Sequence, residues 1–256
     1  MKDIILSVVD SLDGENPELY PYLPYILQDF TEIGADPEVM VQLTKKHIPA
    51  GFLQIADLGC GKGAISVAMA KEFDCNVTGI DAMPDFIESA KEFAIKEEVS
   101  EKCKFFTGDI RTEILSLKGF DLVVLGAIGN VLGNVGETLT KVQKILNPDG
   151  YVLLDDAWSK QAENREDNIF PTETAYFSMI ADAGFNVVEM DVADMADHSG
   201  QENIMMGCMQ TRCDELAVQH PQLSHIFNQY IQNQQLEFNM MKFDLTCATL
   251  LLTRNS

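Results

Sequence analysis

The chain has 256 residues, of which 46% are hydrophobic and 23% are charged, and its formal net charge is -22. This balance is that of an ordinary globular protein with room for one large domain and an insertion, and it excludes a disordered chain. The surplus of carboxylates would repel a phosphate backbone, so nucleic acid is disfavoured as a partner.

Membrane and metal-binding segments are not expected either. The longest nearly uncharged run, 122–132, is shorter than the ~20 residues that cross a bilayer, and Asp10 and Asp13 interrupt the apolar start of the chain before any signal cleavage site. The six cysteines form no C-x-x-C pair, so neither a zinc site nor a disulfide framework is predicted. We therefore expect a cytoplasmic protein with reduced cysteines, no bound metal and no membrane partner.

Residues 1–154 show two successive patterns. Residues 1–50 are helical in pattern and are predicted to form a lid segment. From residue 52, short apolar runs alternate with amphipathic helices, which is typical of βα units on a mostly parallel sheet. The five strands predicted there are Leu53–Leu58, Asn76–Ile80, Cys103–Phe106, Phe120–Leu125 and Tyr151–Leu154.

The pattern changes around the fifth strand. The segment Asn147–Gly150 is expected to close a helix by a turn and lead into that strand. A helix from Pro171 to Ala183, a sixth strand at Asn186–Val192 and a last strand at Leu245–Thr253 follow. The prediction is a doubly wound, mostly parallel, seven-stranded α/β domain of residues 51–192 and 245–256, with a helical cap insertion at 193–244.

A glycine-rich loop follows the first strand. In Asp57-Leu58-Gly59-Cys60-Gly61-Lys62-Gly63, the strand runs into three glycines and then a helix, so a ligand can lie against bare backbone at a helix N-terminus. A nucleotide-like ligand is the natural inference. The acid Asp57 would repel a pyrophosphate but attract a positively charged amino group, which favours a cationic ligand.

Acids also follow the next two strands. Asp81 ends the second strand near the ~20-residue interval at which an acid meets ribose hydroxyls in dinucleotide folds, although a helix cap is an equally good explanation for it alone. Gly108 and Asp109 follow the third strand. Because the carboxyl ends of parallel strands meet at one sheet edge, we expect Asp57, Asp81 and Asp109 to converge.

Together these segments resemble the class I S-adenosylmethionine-dependent methyltransferases of the small-molecule type. The motif D/E-x-G-x-G-x-G matches residues 57–63, and a Gly-Asp-hydrophobic element matches Gly108-Asp109-Ile110. The resemblance spans about residues 53–190 and the last strand. It implies a Rossmann-like methyltransferase fold, S-adenosylmethionine as cofactor and S-adenosylhomocysteine as product. The residues that it assigns to the cofactor are Asp57, Gly59, Cys60, Gly61, Gly63, Asp81, Ala82, Met83, Gly108, Asp109, Ile110 and Gly126.

Two other functions stay open at this point. An NAD-dependent oxidoreductase would use a similar glycine loop, but Asp57 and the lack of a Tyr-x-x-x-Lys constellation disfavour it. A protein that binds S-adenosylmethionine without catalysis is the second alternative. The chain lacks an Asn-Pro-Pro-Tyr or Asp-Pro-Pro-Tyr element, which favours a small-molecule acceptor, and a homodimer is left open.

Methyl transfer by in-line displacement needs a base only if the nucleophile arrives protonated. His198, in the loop after the sixth strand, is one candidate, and Asp155 and Asp156 after the fifth strand are others that could orient an amine or a hydroxyl. Tyr20 could belong to a lid, and Trp158 either lines an acceptor site or packs in the core. The sequence does not choose among these candidates.

Overall fold

A computed structural model of the chain describes residues 2–161, 170–194 and 199–255. The described residues form two compact units, one of residues 1–31 and 193–246 and the other of residues 32–192 and 247–256. Among them, no helix is both long enough and apolar enough to cross a membrane.

The larger unit is built on a seven-stranded sheet with the order β3-β2-β1-β4-β5-β7-β6. Strands β1 to β5 are parallel where they pair, and β6 runs antiparallel to β7. The strands are β1 (Leu53–Leu58), β2 (Cys75–Asp81), β3 (Cys103–Thr107), β4 (Phe120–Gly126), β5 (Leu146–Ser159), β6 (Phe185–Val192) and β7 (Leu245–Arg254). The doubly wound seven-stranded fold predicted from the sequence is confirmed.

Ten α-helices are present in the described residues, together with short 3₁₀ turns. They are α1 (Lys2–Asp10), α2 (Leu23–Ile26), α3 (Pro37–His47), α4 (Ala64–Glu72), α5 (Pro84–Lys96), α6 (Ile110–Glu113), α7 (Val135–Val142), α8 (Glu173–Asp182), α9 (Ser199–Gln219) and α10 (Ser224–Phe243).

Helices cover both faces of the sheet. One core joins α3, α4 and α5 to alternate strand residues such as Ile55, Val124 and Leu153, and the other joins α7 and α8 to Ala56 and Val123. Because successive strand residues point to opposite faces, each core takes every second residue of β1, β4 and β5. Both faces are covered by helices, which explains why the middle parts of these strands are mostly apolar.

Two boundaries differ from those read from the sequence. The predicted segment 1–50 is divided, since α3 packs with α4 in the larger unit and buries Met40 and Leu43 there. Strand β5 begins at Leu146 rather than at Tyr151, and Asn147–Gly150 forms an irregularity between the pairs Phe120–Leu146 and Leu122–Tyr151 instead of a turn before the strand.

The smaller unit is helical. Helices α9 and α10 pack against each other on either side of a 3₁₀ turn at Pro221–Leu223, and Phe227 and Tyr230 of α10 are buried. Arg212 of α9 lies between Asp29 and Glu215, with its Nε 2.8 Å from the Asp29 carboxylate.

Candidate functional site

The carboxyl ends of the parallel strands place the predicted residues along one edge of the sheet. In the pairing register, Asp57 lies opposite Gly79 and Val124, and Gly126 lies opposite Asp155. Alternation then puts the side chains of Asp57, Asp81 and Asp155 on the face covered by α3, α4 and α5, as Ile55 and Leu153 of the same strands pack there. One face of one edge therefore carries three carboxylates.

The glycine loop has the backbone that its sequence requires. Gly59, Gly61 and Gly63 have φ values of +77°, +52° and +80°, a region that residues with a Cβ rarely adopt. A Cβ on Gly63 would lie 2.9 Å from the Cβ of Ala90, so this glycine lets α4 pack on α5. A Cβ on Gly61 would meet nothing within 4 Å, so the backbone there is open to a ligand.

Asp57 is buried, and only one of its two carboxylate oxygens accepts a hydrogen bond from a described residue. Its side chain is 1% exposed, and the Ser66 hydroxyl donates to its Oδ2 at 2.6 Å. Its Oδ1 is buried and accepts no hydrogen bond in the part of the chain that is described. Burial raises the pKa of Asp57 to about 6, and the nearby Asp81 carboxylate adds to the rise. An ionised Asp57 therefore lacks a donor to Oδ1 among the described residues, and a cationic ligand could supply one.

Asp81 is held by backbone donors. The amides of Gly61 and Met83 donate to its two oxygens at 2.9 and 2.8 Å, and burial raises its pKa. The loop is thus folded onto the carboxylate that ends β2. Each oxygen keeps acceptor capacity for a further donor. Ala82 is half-buried beside it, whereas the side chain of Met83 is 1% exposed and packs at the start of α5.

Asp109 is engaged by an arginine. Its side chain accepts from the backbone amide of Arg111 at 2.9 Å, which caps α6, and it forms an ion pair with the guanidinium at 2.7 Å. The Arg111 guanidinium lowers the pKa of Asp109. Gly108 donates its amide to the Asp81 carbonyl at 2.8 Å, and Ile110 is buried in the core. An adenine amino group would have to share Asp109 with Arg111.

Gly126 ends β4 where three side chains approach. A Cβ there would lie 2.6 Å from Ile65 Cδ1 and close to Ala35 and Met40, so only glycine fits without a shift. The next residue, Ala127, has a φ of +58°. A strained backbone of this kind is often found at functional sites.

Asp155 and Asp156 point to opposite faces of the sheet. Asp155 accepts from the Thr249 hydroxyl of β7 at 2.6 Å, on the same face as Gly126. Asp156 accepts from the Tyr176 hydroxyl of α8 at 2.9 Å, on the other face. Trp158 stacks on Tyr176 and is 2% exposed, so it packs in the core.

Three further residues predicted from the sequence are His198, Tyr20 and Cys60. His198 lies outside the described residues. Tyr20 lies in the 3₁₀ turn Pro17–Tyr22 of the helical unit and is half-buried. Cys60 is buried, and burial raises the pKa of its thiol well above the ordinary value, as expected for a packed thiol rather than a reactive one.

Sequence reasoning missed two polar residues of this edge, Ser66 and Thr249. Ser66 is fully buried on the inner face of α4, and Thr249 is 4% exposed in a strand that is otherwise apolar around it. A polar residue at a position predicted to be buried was the available signal for both.

Comparison with known proteins gives the family. A family model described as a methyltransferase domain matches residues 52–210. The release factor glutamine methyltransferase of Salmonella typhimurium is 26% identical over 203 residues, which are 67% of this chain and 65% of that protein. The ubiquinone biosynthesis O-methyltransferase of Rickettsia akari is 32% identical over 102 residues, 40% of this chain and 39% of that protein. The chain thus spans less than two thirds of the length of these relatives.

A solved structure shares the fold. The S-adenosylmethionine-dependent methyltransferase from Geobacter sulfurreducens, in complex with S-adenosyl-L-homocysteine, has a TM-score of 0.76 and 18% identity, and the match covers 91% of this chain and 97% of that one. The residues matched by the family model make up more than half of the chain and include the glycine loop and the ends of β1 to β5. The chain therefore belongs to the methyltransferase-domain family.

Proposed function

We propose that this protein binds S-adenosylmethionine and transfers the methyl group to a small-molecule acceptor. The observation that carries the proposal is the buried Oδ1 of Asp57, which has no hydrogen-bond partner among the described residues, in the neighbourhood of the Asp81 carboxylate and the open backbone of Gly61. Two neighbouring carboxylates with little access to water repel each other. A cationic ligand would offset this repulsion and would also donate the hydrogen bond that Asp57 Oδ1 lacks among the described residues.

The chemistry of the donors and acceptors fits this cofactor. Asp57 would accept from the ammonium of the methionine part, and a small shift of the loop would open its buried oxygen to that group. Asp81, fixed by the amides of Gly61 and Met83, would accept from ribose hydroxyls. Asp109 and the Ile110 amide would meet the adenine ring. Family membership and the S-adenosylhomocysteine complex of a protein with the same fold support this choice.

The residues of the chain contribute alignment more than acid–base chemistry. The bound cofactor supplies a sulfonium whose thioether leaves without protonation. Gly126 keeps the end of β4 free of a side chain, and Asp57 and Asp81 would fix the methionine part and the ribose of the ligand. Holding reactants in line in this way is worth roughly 7 to 11 kcal/mol of the barrier.

A small-molecule acceptor has indirect support. Residues 126–129, Gly-Ala-Ile-Gly, stand after β4 without an Asn-Pro-Pro-Tyr element, and one relative carries the name of an O-methyltransferase of ubiquinone biosynthesis. Asp155 and Thr249 lie beside Gly126 and are our candidates for contact with the acceptor. The roles predicted for residues 1–50, residues 193–244 and His198 stay predictions, as do a cytoplasmic location and a homodimer.

Equilibrium binding tests the cofactor directly. We expect S-adenosylhomocysteine to raise the melting temperature and to bind in calorimetry, while NADH does neither. The opposite pattern would revive the oxidoreductase alternative and overturn the proposal. Transfer of a labelled methyl group from S-adenosylmethionine to a panel of small acceptors then separates an enzyme from a protein that binds the cofactor without catalysis.

A further inference from the structure

The fifth strand ends in two adjacent acids with different surroundings. Asp156 has both oxygens occupied, one by the amide of Ala157 at 2.8 Å and the other by the Tyr176 hydroxyl. Asp155 has one oxygen occupied, by Thr249, and its Oδ1 accepts no hydrogen bond from a described residue. Asp156 is therefore satisfied within the fold, and Asp155 retains an acceptor.

The unoccupied acceptor of Asp155 lies on the same side of the sheet as Asp57. The register places Asp57 opposite Val124 of β4 and Val124 opposite Leu153 of β5. Asp155 is thus two strands across and two residues along, which puts its Cα about 12 Å from that of Asp57. This separation leaves room for an amino acid side chain that carries a sulfonium, and for a nucleophile beyond it.

The surroundings of Asp155 are negatively charged, and its side chain is half-buried. Burial raises its pKa to about 6, and the carboxylates of Asp156 and Asp36 add to the rise. The Thr249 hydroxyl opposes this rise by donating to Oδ2. Asp155 is therefore ionised at neutral pH, at a cost that a cationic partner would offset.

Building on the proposed function, we propose that the acceptor is an amine, that Asp155 binds its ammonium form, and that Thr249 positions Asp155 for this contact. Asp155 is then a catalytic residue and Thr249 a positioning residue.

The charge of the site separates amines from other acceptors. Phenols, thiols and carboxylic acids attack methyl groups as anions, and the carboxylates of Asp155, Asp36 and Asp156 oppose both the binding and the formation of an anion there. An amine arrives as a cation and attacks as a neutral base. The negative field of the site therefore favours binding of the ammonium, and the neutral amine that reacts is not repelled by the carboxylates.

The proton and electron balance is complete with this chain's own groups. The ammonium passes one proton to the Asp155 carboxylate, and the free amine lone pair then forms the new N–C bond. The C–S bond breaks with its electron pair on sulfur, which becomes a neutral thioether. Asp155 afterwards loses its proton to water. A carboxyl with a raised pKa thus both binds the ammonium and accepts its proton.

Binding and transfer are measured on the full chain loaded with S-adenosylhomocysteine or S-adenosylmethionine, respectively. The probes are methylamine, hexylamine, benzylamine and tryptamine, each beside the alcohol and the carboxylic acid of the same skeleton, with phenol and benzyl thiol added. We expect calorimetric binding and methyl transfer for at least one amine and neither for its matched alcohol and acid. Asp155→Asn should weaken amine binding by about 10- to 100-fold and leave S-adenosylhomocysteine affinity unchanged.

Matched variants isolate the role of each residue. Asp156→Asn removes the same charge from the next position and should change amine affinity by less than about threefold, since its carboxylate lies on the other face of the sheet, where it accepts from Tyr176. Thr249→Val should weaken amine binding relative to S-adenosylhomocysteine binding, and Thr249→Ser, which keeps the hydroxyl, should restore it. Melting temperatures of all variants check that they fold.

Each outcome has a distinct meaning. If the wild type does not bind S-adenosylhomocysteine, the proposed function itself is wrong. If it binds the cofactor product but prefers an alcohol, thiol, phenol or acid, or accepts no amine of the panel, the amine assignment is overturned. An Asp155→Asn variant that keeps amine affinity, or an Asp156→Asn variant that loses it equally, overturns the role of Asp155.

Discussion

The buried carboxyl of Asp57 predicts a pH dependence of cofactor binding. Its pKa is raised to about 6 by burial, so the ligand-free protein takes up a proton at Asp57 as the pH falls through that value. A ligand ammonium pairs only with the ionised form. We therefore expect the affinity for S-adenosylhomocysteine to fall by about tenfold between pH 7.5 and pH 5, the factor that follows from this pKa.

A ligand without the amino acid part provides the control. 5′-Methylthioadenosine keeps the ribose and adenine but lacks the ammonium, so the ratio of the two affinities isolates Asp57 from Asp81, whose pKa is also raised. Calorimetry at several pH values should show the ratio falling below pH 6 in the wild type. In Asp57→Asn the ratio should be about 10- to 100-fold lower at pH 7.5 and independent of pH.

The opposite sign is expected for the stability of the ligand-free protein. A buried acid with a raised pKa binds more protons when folded than when unfolded, so its contribution to stability is lost as the pH rises from about 4 to 7. Keeping Asp57 ionised at pH 7 costs about 3 kcal/mol. In the binding experiment, a ratio of S-adenosylhomocysteine affinity to 5′-methylthioadenosine affinity that stays constant from pH 7.5 to pH 5 would refute this account of Asp57.

Four further substitutions test the packing around the site. Gly61→Ala should fold with a loss of stability of about 1 to 2 kcal/mol because of its positive φ, and it should no longer bind S-adenosylhomocysteine. Gly63→Ala adds a steric overlap to the positive φ, so its loss of stability in thermal unfolding should be larger. Ser66→Ala removes the donor to Asp57 and should cost about 1 to 3 kcal/mol and move the loss of affinity to higher pH, as seen in calorimetry. Trp158→Ala should cost about 3 to 5 kcal/mol in denaturant unfolding without changing cofactor affinity, and a selective loss of binding would contradict its place in the core.

The parts of the fold that the sequence predicted are those with a local signal. Apolar runs gave all seven strands, and burial on both faces makes the central strands β1, β4 and β5 rich in such residues. The loop at residues 57–63 was predictable because three glycines at alternate positions are needed only where φ is positive, and the structure has positive φ at each.

Burial on both faces of the sheet also explains why the sequence did not distinguish Asp155 from Asp156. Alternation reveals which face a residue occupies only when one face is polar, and β5 is apolar on both faces before Asp155. The two acids therefore looked equivalent. Their difference depends on partners far along the chain, Thr249 at a separation of 94 residues and Tyr176 at 20, for which the sequence has no local signal.

The acids of the site differ in how far the fold itself satisfies them, and this difference indicates where ligands bind. Asp109 is paired with Arg111 and Asp81 with backbone amides, so both are ready to accept from neutral hydroxyl or amino groups. Asp57 and Asp155 each keep an oxygen without a described donor, and burial raises both pKa values to about 6. A site with one such group at either end is arranged for two cations, an ammonium on the cofactor and another on the acceptor, with the transferred methyl group between them.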